Sequence, residues 1–395
     1  MKLRKAIFLA TSGLASASAC AQSSVTLYGV VDAGISYVNN VASTAGAIGA
    51  RKIQETSGVG APSRWGFRGV EDLGGGNSAI FVLENGFSVA SGTLLQGARL
   101  FGRQAYVGLA NDDLGTVTLG RQYDSVVDFV GPFVSSRQWA TQYGSHVGDI
   151  DNLYTTFRIN NAVKYTSPTY RGLAFGGLYA FSNQAASSTG TGFSNNSAWS
   201  VGANYAAGPL TLGAGHLHLS SPSAGGTNGT NTGGAIVGDY TSPTDIFYTR
   251  PVRTQDVTGA GVAYQLDAAT LGFAYTVARL RYVDHSNFSL ANYEANAKYQ
   301  ITPSLLAGVA FIYSDGKVGG APDIAHVTDG THPRWAQINV GGQYFLSKRT
   351  TAYLAAVYQK ALGDALTATI DNVGGPTGSN SRYQVAVTAG LRVRF

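Results

Sequence analysis

The sequence is poor in charge. Asp, Glu, Lys and Arg make up 12% of its 395 residues, about half the share of a typical soluble domain. Cysteine and methionine occur once each, so a disulfide scaffold is excluded. Long apolar runs are missing as well. After the first two dozen residues no uninterrupted stretch approaches the roughly 18–20 residues of a spanning helix, and Leu305 to Tyr313 is among the longest. No Gly-rich phosphate loop follows a strand pattern. Neither His-Glu-x-x-His nor Gly-x-Ser-x-Gly occurs. No cofactor is therefore expected and no enzyme. What is plentiful is glycine and tyrosine, with 52 and 22 residues, and the mean hydropathy is +0.01. Low charge, no spanning helix and a hydropathy averaging to zero describe a transmembrane β-barrel, in which half of every strand is polar.

The last stretch of the chain shows this pattern most clearly. Tyr383, Val385, Val387, Ala389, Leu391, Val393 and Phe395 alternate with Gln384, Ala386, Thr388, Gly390, Arg392 and Arg394. A period of two defines a strand. An apolar row opposite two arginines, ending on an aromatic residue, suits lipid on one side and a wet lumen on the other. An amphipathic strand on a soluble core would give the same local pattern, so the rest of the chain must decide.

The N-terminus reads as an export signal. Lys2, Arg4 and Lys5 precede the apolar stretch Ala6 to Leu14, and Ala19-Cys20-Ala21 is a small-x-small cleavage site. Residues 1–21 are expected to be removed, leaving a barrel of 22–395 without cysteine. The signal carries three of the positive charges and no acid, so the formal net charge falls from +5 to +2. The basic balance is no sign of nucleic acid. A lipoprotein reading of Cys20 competes, but Ala17 is not the large aliphatic residue it calls for.

Sixteen strands are predicted, near 25–37, 63–70, 79–89, 99–109, 116–122, 158–166, 172–182, 197–207, 209–219, 252–265, 269–280, 289–301, 303–314, 333–346, 349–361 and 381–395. An even number suits a bacterial single-chain barrel. Short connections, such as 72–77 and 111–115, alternate with long ones, such as 39–62, 123–157 and 220–251. Segregated loop length is the pattern of periplasmic turns and extracellular loops. The stretch 123–157 has no sustained alternation, and a connection that long is generally functional.

Ser23-Ser24-Val25-Thr26-Leu27-Tyr28-Gly29, Ser63-Arg64-Trp65-Gly66-Phe67-Arg68-Gly69, Arg103-Gln104-Ala105-Tyr106-Val107-Gly108-Leu109, Gly115-Thr116-Val117-Thr118-Leu119-Gly120-Arg121-Gln122 and the final Phe395 together resemble the Gram-negative general porins of the β-proteobacterial branch. The resemblance covers essentially all of 22–395. It implies an all-β, 16-stranded antiparallel barrel, a homotrimer in the outer membrane beside lipid and lipopolysaccharide, and passive diffusion of small hydrophilic solutes and inorganic ions. It also implies that the third extracellular loop, about 123–157, folds inward and narrows the lumen. Many such porins carry Pro-Glu-Phe in this loop. Here Gly131-Pro132-Phe133 lacks the acid, so the acidic side is expected from Asp124, Asp128, Asp149 or Asp151.

Selectivity in a pore follows from its width and from the charges at its narrowest part. Arg64, Arg68, Arg158 and Lys164 lie on lumen-facing parity. Ordinary solvated wall lining or interfacial snorkelling accounts for the same parity. For Arg103 the alternation is ambiguous, and the resemblance places it in the basic cluster. Glu84 reads equally as lumen-facing or as an interface acid. Basic wall and acidic loop would set up a transverse field with a mild preference for anions. His216 and His218 share one strand face, which is weak support for a metal site. A barrel-surface hydrolase would need a Ser/His pair that spacing does not reveal. A structural or adhesive barrel acting through its surface loops is the alternative to a channel, and the Thr/Gly/Asn-rich loop 220–251 fits it equally.

Overall fold

The computed structural model describes residues 24–42, 48–185, 192–225, 230–238, 240, 250–320, 328–370 and 378–395. The export signal expected over 1–21 lies outside them. One antiparallel sheet curls until its first and last strands pair. β1 (Ser24–Val41) joins β17 (Tyr383–Arg394) along one edge, from Val30 opposite Arg394 to Val38 opposite Ala386. Its other edge meets β3 (Arg64–Gly74) over Ser24 to Val30. The sheet continues through β4 (Asn77–Gly86), β5 (Gln104–Asn111), β6 (Gly115–Gln122), β7 (Ile159–Thr166), β8 (Leu173–Ala180), β9 (Ser197–Ala207) and β10 (Leu210–Ser220). It closes through β11 (Val252–Leu266), β12 (Ala269–Tyr282), β13 (Asn287–Thr302), β14 (Leu305–Gly319), β15 (Pro333–Phe345) and β16 (Thr350–Gly363). Closure leaves no open edge, which backbone groups in hydrocarbon require.

The ring holds the sixteen expected strands. A seventeenth, β2 (Ala50–Ser57), extends the same edge of β1 beyond β3. It lay hidden in the expected loop 39–62 because Ala-Arg-Lys-Ile-Gln-Glu-Thr-Ser has no apolar row. Backbone pairing to the projecting end of β1 makes it a strand. The expected 99–109 begins later, at Gln104, because Gln96 and Ala98 take positive φ in the preceding loop.

Alternation divides outside from inside as read. On β1, Val25, Leu27, Ile35 and Tyr37 are exposed on the outer wall while Asp32 and Ser36 are fully buried. On β17, Tyr383, Leu391 and Val393 face out and Gln384, Ala386, Thr388 and Arg392 face in. Closure is finished by Phe395, whose amide donates to the Gly29 carbonyl at 3.2 Å and whose carbonyl accepts from the Gly29 amide at 3.1 Å. A Cβ at Gly29 would sit 2.4 Å from the Phe395 ring and 2.7 Å from the Arg64 carbonyl oxygen. Glycine is needed here for space. Gly29→Val should therefore hinder closure, costing roughly 1–3 kcal/mol as overpacking does. The expected result is a smaller folded fraction on unheated gel electrophoresis after refolding in detergent. An unchanged fraction would show that the Phe395 seat does not matter.

Candidate functional site

The connection between β6 and β7 does not stay outside the barrel. It turns in at Tyr123, forms the short helix α1 (Ser125–Phe129), and runs through tight turns across the lumen. Asp124 starts the helix by accepting from the Val126 and Val127 amides at 2.8 and 3.1 Å. Val126, Val130, Phe133, Val147, Ile150 and Leu153 form an apolar face. This face packs on Leu217 and Leu219 of β10, Val257 of β11, Leu280 of β12 and Leu290 of β13, all fully buried. Burial of each large side chain contributes about 1.5–3 kcal/mol. The wall makes room with glycine. A Cβ at Gly261 would meet Phe133 at 2.4 Å, and one at Gly308 would meet Trp139 at 2.3 Å.

Polar contacts fix the loop's height. His146 is buried between two carboxylates, with Nδ1 at 2.6 Å from Asp151 and Nε2 at 3.0 Å from Glu294 on β13. Asp151 also accepts from Thr276 Oγ1 at 2.6 Å on β12 and from Asn292 Nδ2 at 3.2 Å on β13. Glu294 accepts from the Ser135 amide at 2.6 Å. Asn339 and Gln337 on β15 donate to the carbonyls of Gly144 and Ser145 at 3.0 and 3.2 Å. Across the lumen the Gln142 amide reaches the Val59 carbonyl at 2.9 Å. Burial works against a charged His146, but Asp151 and Glu294 outweigh it and hold the imidazole up at about 10. Burial, reinforced by Asp151, pushes Asp149 up to about 7. Asp151 resists its own burial through His146 and stays below the usual carboxylate range.

The other side of the lumen is basic. Arg64 on β3, Arg103 just before β5 and Glu84 on β4 form one cluster. Glu84 Oε1 lies 2.7 Å from Arg103 Nε, and Oε2 accepts from Tyr28 at 3.0 Å and lies 3.6 Å from Arg64 Nε. Arg103 donates through Nη2 to the Tyr123 hydroxyl at 2.7 Å. Arg158 lies over the same ring, 5.6 Å from its centroid. Burial raises the Tyr123 phenol, but Arg103 and Arg158 more than offset it and bring it below its ordinary value. Arg392 on β17 donates to Gln343 Oε1 and the Gly60 carbonyl, both at 3.4 Å. Asp32 on β1 holds the same Gly60 that Arg392 contacts. Its carboxylate accepts from the Gly60 amide at 3.0 Å and from Tyr353 at 2.9 Å.

Two cavities meet here. One is lined by Arg64, Glu84, Arg392 and the loop's Arg137, the other by Arg158, Gln96 and Gly238. Pro62, Arg103, Tyr154 and Thr155 line both. These shared residues join the two cavities between the wall and the inward loop.

Arg64, Arg103 and Arg158 line these cavities. Arg68 and Lys164 do not. Arg68 is exposed further toward the short turns, 5.8 Å above the Tyr28 ring. Lys164 pairs with Asp128 and donates to the Tyr123 carbonyl at 2.9 Å. The expected acidic side needs correction. Asp124, Asp149 and Asp151 are all buried, engaged inside the loop or against the far wall. Asp149, for example, accepts from the Tyr154 amide at 2.8 Å and from Thr156 Oγ1 at 2.7 Å. Only Asp128 of the four is exposed. Arg392 and Arg137 were not singled out in the sequence. The parity of β17 already placed Arg392 on the inner face; nothing local marks Arg137. His216 and His218 face outward, where His218 meets Asp256 at 2.7 Å.

A closed sixteen-strand ring with an inward third loop defines an outer-membrane β-barrel of the porin class. A Gram-negative porin family profile matches residues 6–364, and the chain belongs to that family. An outer membrane porin protein of Bordetella pertussis is 36% identical over 210 residues, 49% of this chain and 54% of that protein. Outer membrane porin protein 32 of Delftia acidovorans is 35% identical over 190 residues, 45% and 50% of the two chains. The chain thus spans about half the length of these curated relatives. Major outer membrane protein P.IB of Neisseria lactamica is 28% identical over 387 residues, 97% of each chain. Among solved structures, the anion-selective porin from Comamonas acidovorans has a TM-score of 0.70 at 22% identity, covering 95% of this chain and 100% of that one. OmpT of Vibrio cholerae has 0.63 at 13%, covering 94% and 98%.

The raised His146 pKa fixes a direction with pH. Its contribution to docking is complete below about pH 6.5 and lost as pH rises through about 10. Raised Asp149 acts in the same sense, up to about pH 7. Asp151, held below the usual carboxylate range, acts in the opposite sense and loses its contribution as pH falls. Single-channel closures and current noise should therefore rise from about pH 7 to about pH 10. His146→Leu, which strands two buried carboxylates at a cost of roughly 3–5 kcal/mol, should be noisy throughout and show no such rise. A quiet wild-type channel at about pH 10 contradicts the assignment.

Proposed function

We propose that this chain forms a water-filled channel for passive diffusion of small hydrophilic solutes and inorganic ions across the outer membrane, with a preference for anions. The observation that carries the preference is the charge balance at the narrowing. Arg64, Arg103, Arg137, Arg158 and Arg392 line the cavities there, and Glu84 is the acid among their lining residues. Glu84 is already engaged by Arg103 and Tyr28. To the lining of these cavities the loop contributes Arg137 and no carboxylate. The field across the narrowing is then weaker than a basic wall facing an acidic loop would give, and the net potential is positive. Fixed charges in a narrow, low-dielectric passage act on ions with little screening. Arg68 and the Lys164–Asp128 pair act in the vestibule on the side of the short turns. The selectivity named for the Comamonas acidovorans porin supports the same reading here.

Residues 1–21 serve as the cleaved export signal, and 22–395 form the barrel with 123–157 as its constriction loop. The working unit is a homotrimer, in keeping with the trimer form described for OmpT of Vibrio cholerae. Lipid and lipopolysaccharide surround it.

Refolded protein in a planar bilayer under a potassium chloride gradient tests the reading. A reversal potential of anion-preferring sign is expected. Arg64→Gln combined with Arg392→Gln should lower the anion-to-cation permeability ratio several-fold, since a unit charge at close range is worth roughly 1 kcal/mol even in water. A cation-preferring wild-type channel contradicts the anion preference. A barrel that never conducts would favour the adhesive alternative.

A further inference from the structure

The wall facing the tip of the inward loop is not a plain strand. Ser57 at the end of β2 stands opposite Ala33, and Arg64 at the start of β3 stands opposite Val30. Residues 58–63 therefore face only Val31 and Asp32 of β1, and the surplus leaves the sheet as a bulge. Asp32 ties the bulge down along its length. Its carbonyl accepts from the Gly58 amide at 2.9 Å and from Ser63 Oγ at 3.0 Å. Its amide donates to the same Ser63 Oγ at 3.0 Å, and its carboxylate accepts from the Gly60 amide at 3.0 Å. A Cβ at Gly60 would lie 2.5 Å from Asp32 Oδ2 and from the Tyr353 ring, so glycine is what lets the chain turn this close to β1 and β16.

The bulge reaches inward and meets the loop. Val59 is buried with Val38, Val357 and Ala386 of the wall and with Tyr143 of the loop. Its carbonyl accepts from the Gln142 amide at 2.9 Å and from the Tyr154 hydroxyl at 3.4 Å. Arg64 Nη1 donates to the Pro62 carbonyl at 2.9 Å. Wall and loop thus hold the bulge at once, and none of its six residues, Gly-Val-Gly-Ala-Pro-Ser, is charged.

The two cavities described above, about 280 and 360 Å³, join along this contact. Gly60 and Ala61 line the first, Gly58 and Ser63 the second, and Pro62 both. Tyr154 and Thr155 of the loop also line both. Tyr154 is fixed at each end, its amide on Asp149 Oδ1 at 2.8 Å and its hydroxyl on the Val59 carbonyl. Its ring therefore extends from the loop to the bulge where the cavities meet.

We infer that the bulge 58–63 is a fixed second jaw facing the inward loop, and that the Tyr154 ring with Pro62 sets the size limit for solutes moving from one cavity to the other. Backbone pinned to Asp32 yields less than a long side chain does, so the width on this side is built into the wall. Neither Tyr154 nor Pro62 carries charge, which separates discrimination by width from the ion preference set by the arginines. The inference rests on the channel reading and adds to it the residues that measure size.

The test is the swelling of liposomes holding the refolded protein, in arabinose and in sucrose, both neutral, with bilayer recordings of the same preparations. Tyr154→Ala should raise the sucrose-to-arabinose rate ratio several-fold, and Tyr154→Trp should lower it below that of the wild type. A loop that had only loosened would raise it in both. Pro62→Ala, on the other jaw, should raise it too, and decides the matter should Tyr154→Ala fail to fold. Tyr344→Ala, exposed on the outer wall of β15, should keep the wild-type ratio. The reversal potential should be the same in every variant, since no charge changes. A conducting Tyr154→Ala or Pro62→Ala channel with the wild-type ratio overturns the inference, and so does a ratio that rises in Tyr154→Trp. A wild type that passes neither arabinose nor current overturns the channel reading, and this inference with it.

Discussion

An imidazolium held between two buried carboxylates fixes the inside of this barrel. His146 belongs to the inward loop, Glu294 to the wall, and Asp151 to both through its contacts with Thr276 and Asn292. Each charge alone would be expensive to bury. Together they neutralise one another and satisfy the Ser135 amide and the side chains around them. The apolar face from Val126 to Leu153 supplies adhesion, which is non-directional, and the charged group determines where that face comes to rest.

The position of the loop decides which charges meet the solute. The long strands β11 to β16 take the docked loop on their inner faces, together with β9 and β10. Their inward residues, such as Leu217, Leu280 and Leu290, are apolar where the loop covers them. The open passage is left against β3 to β7 and β17, where arginines collect. Glu84 is the organiser of that side. It aligns Arg103, lies near Arg64 and takes the Tyr28 proton donor. One buried acid thus orients several cations without cancelling them, while Asp124, Asp149 and Asp151 are spent on holding the loop together and in place.

Much of the fold could be read from period and spacing. Sixteen strands, their inside and outside faces and the irregular third loop all follow from alternation, because lipid on one side and water on the other impose it on every strand. β2 escaped because it projects past lipid and carries no apolar row. Of the site, Arg64 was legible from parity, and Arg103 only through the family likeness, since it precedes β5 and alternation does not bind it. The loop acids were misplaced for a physical reason. Parity says nothing about an irregular segment, and Asp124, Asp149 and Asp151 point to helix-capping amides, turn amides and a histidine that become neighbours only on folding. Arg137 is silent in the sequence for the same reason. The apolar inner faces of β10, β12 and β13 were visible as residues, but their partner, a loop packed inside the barrel, was expected only through the family likeness.

The docked position of the loop can be tested without relying on selectivity. Residues 22–395 contain no cysteine, so Ser135→Cys and Asn339→Cys can be introduced as the only thiols. Their native side chains touch at 3.3 Å, midway along the loop and across from β15. Mild oxidation of the refolded barrel should form the disulfide in nearly all molecules and leave the single-channel step unchanged from the reduced protein. Thiols that stay free, or a step that changes when they join, would mean that the open channel holds its loop elsewhere.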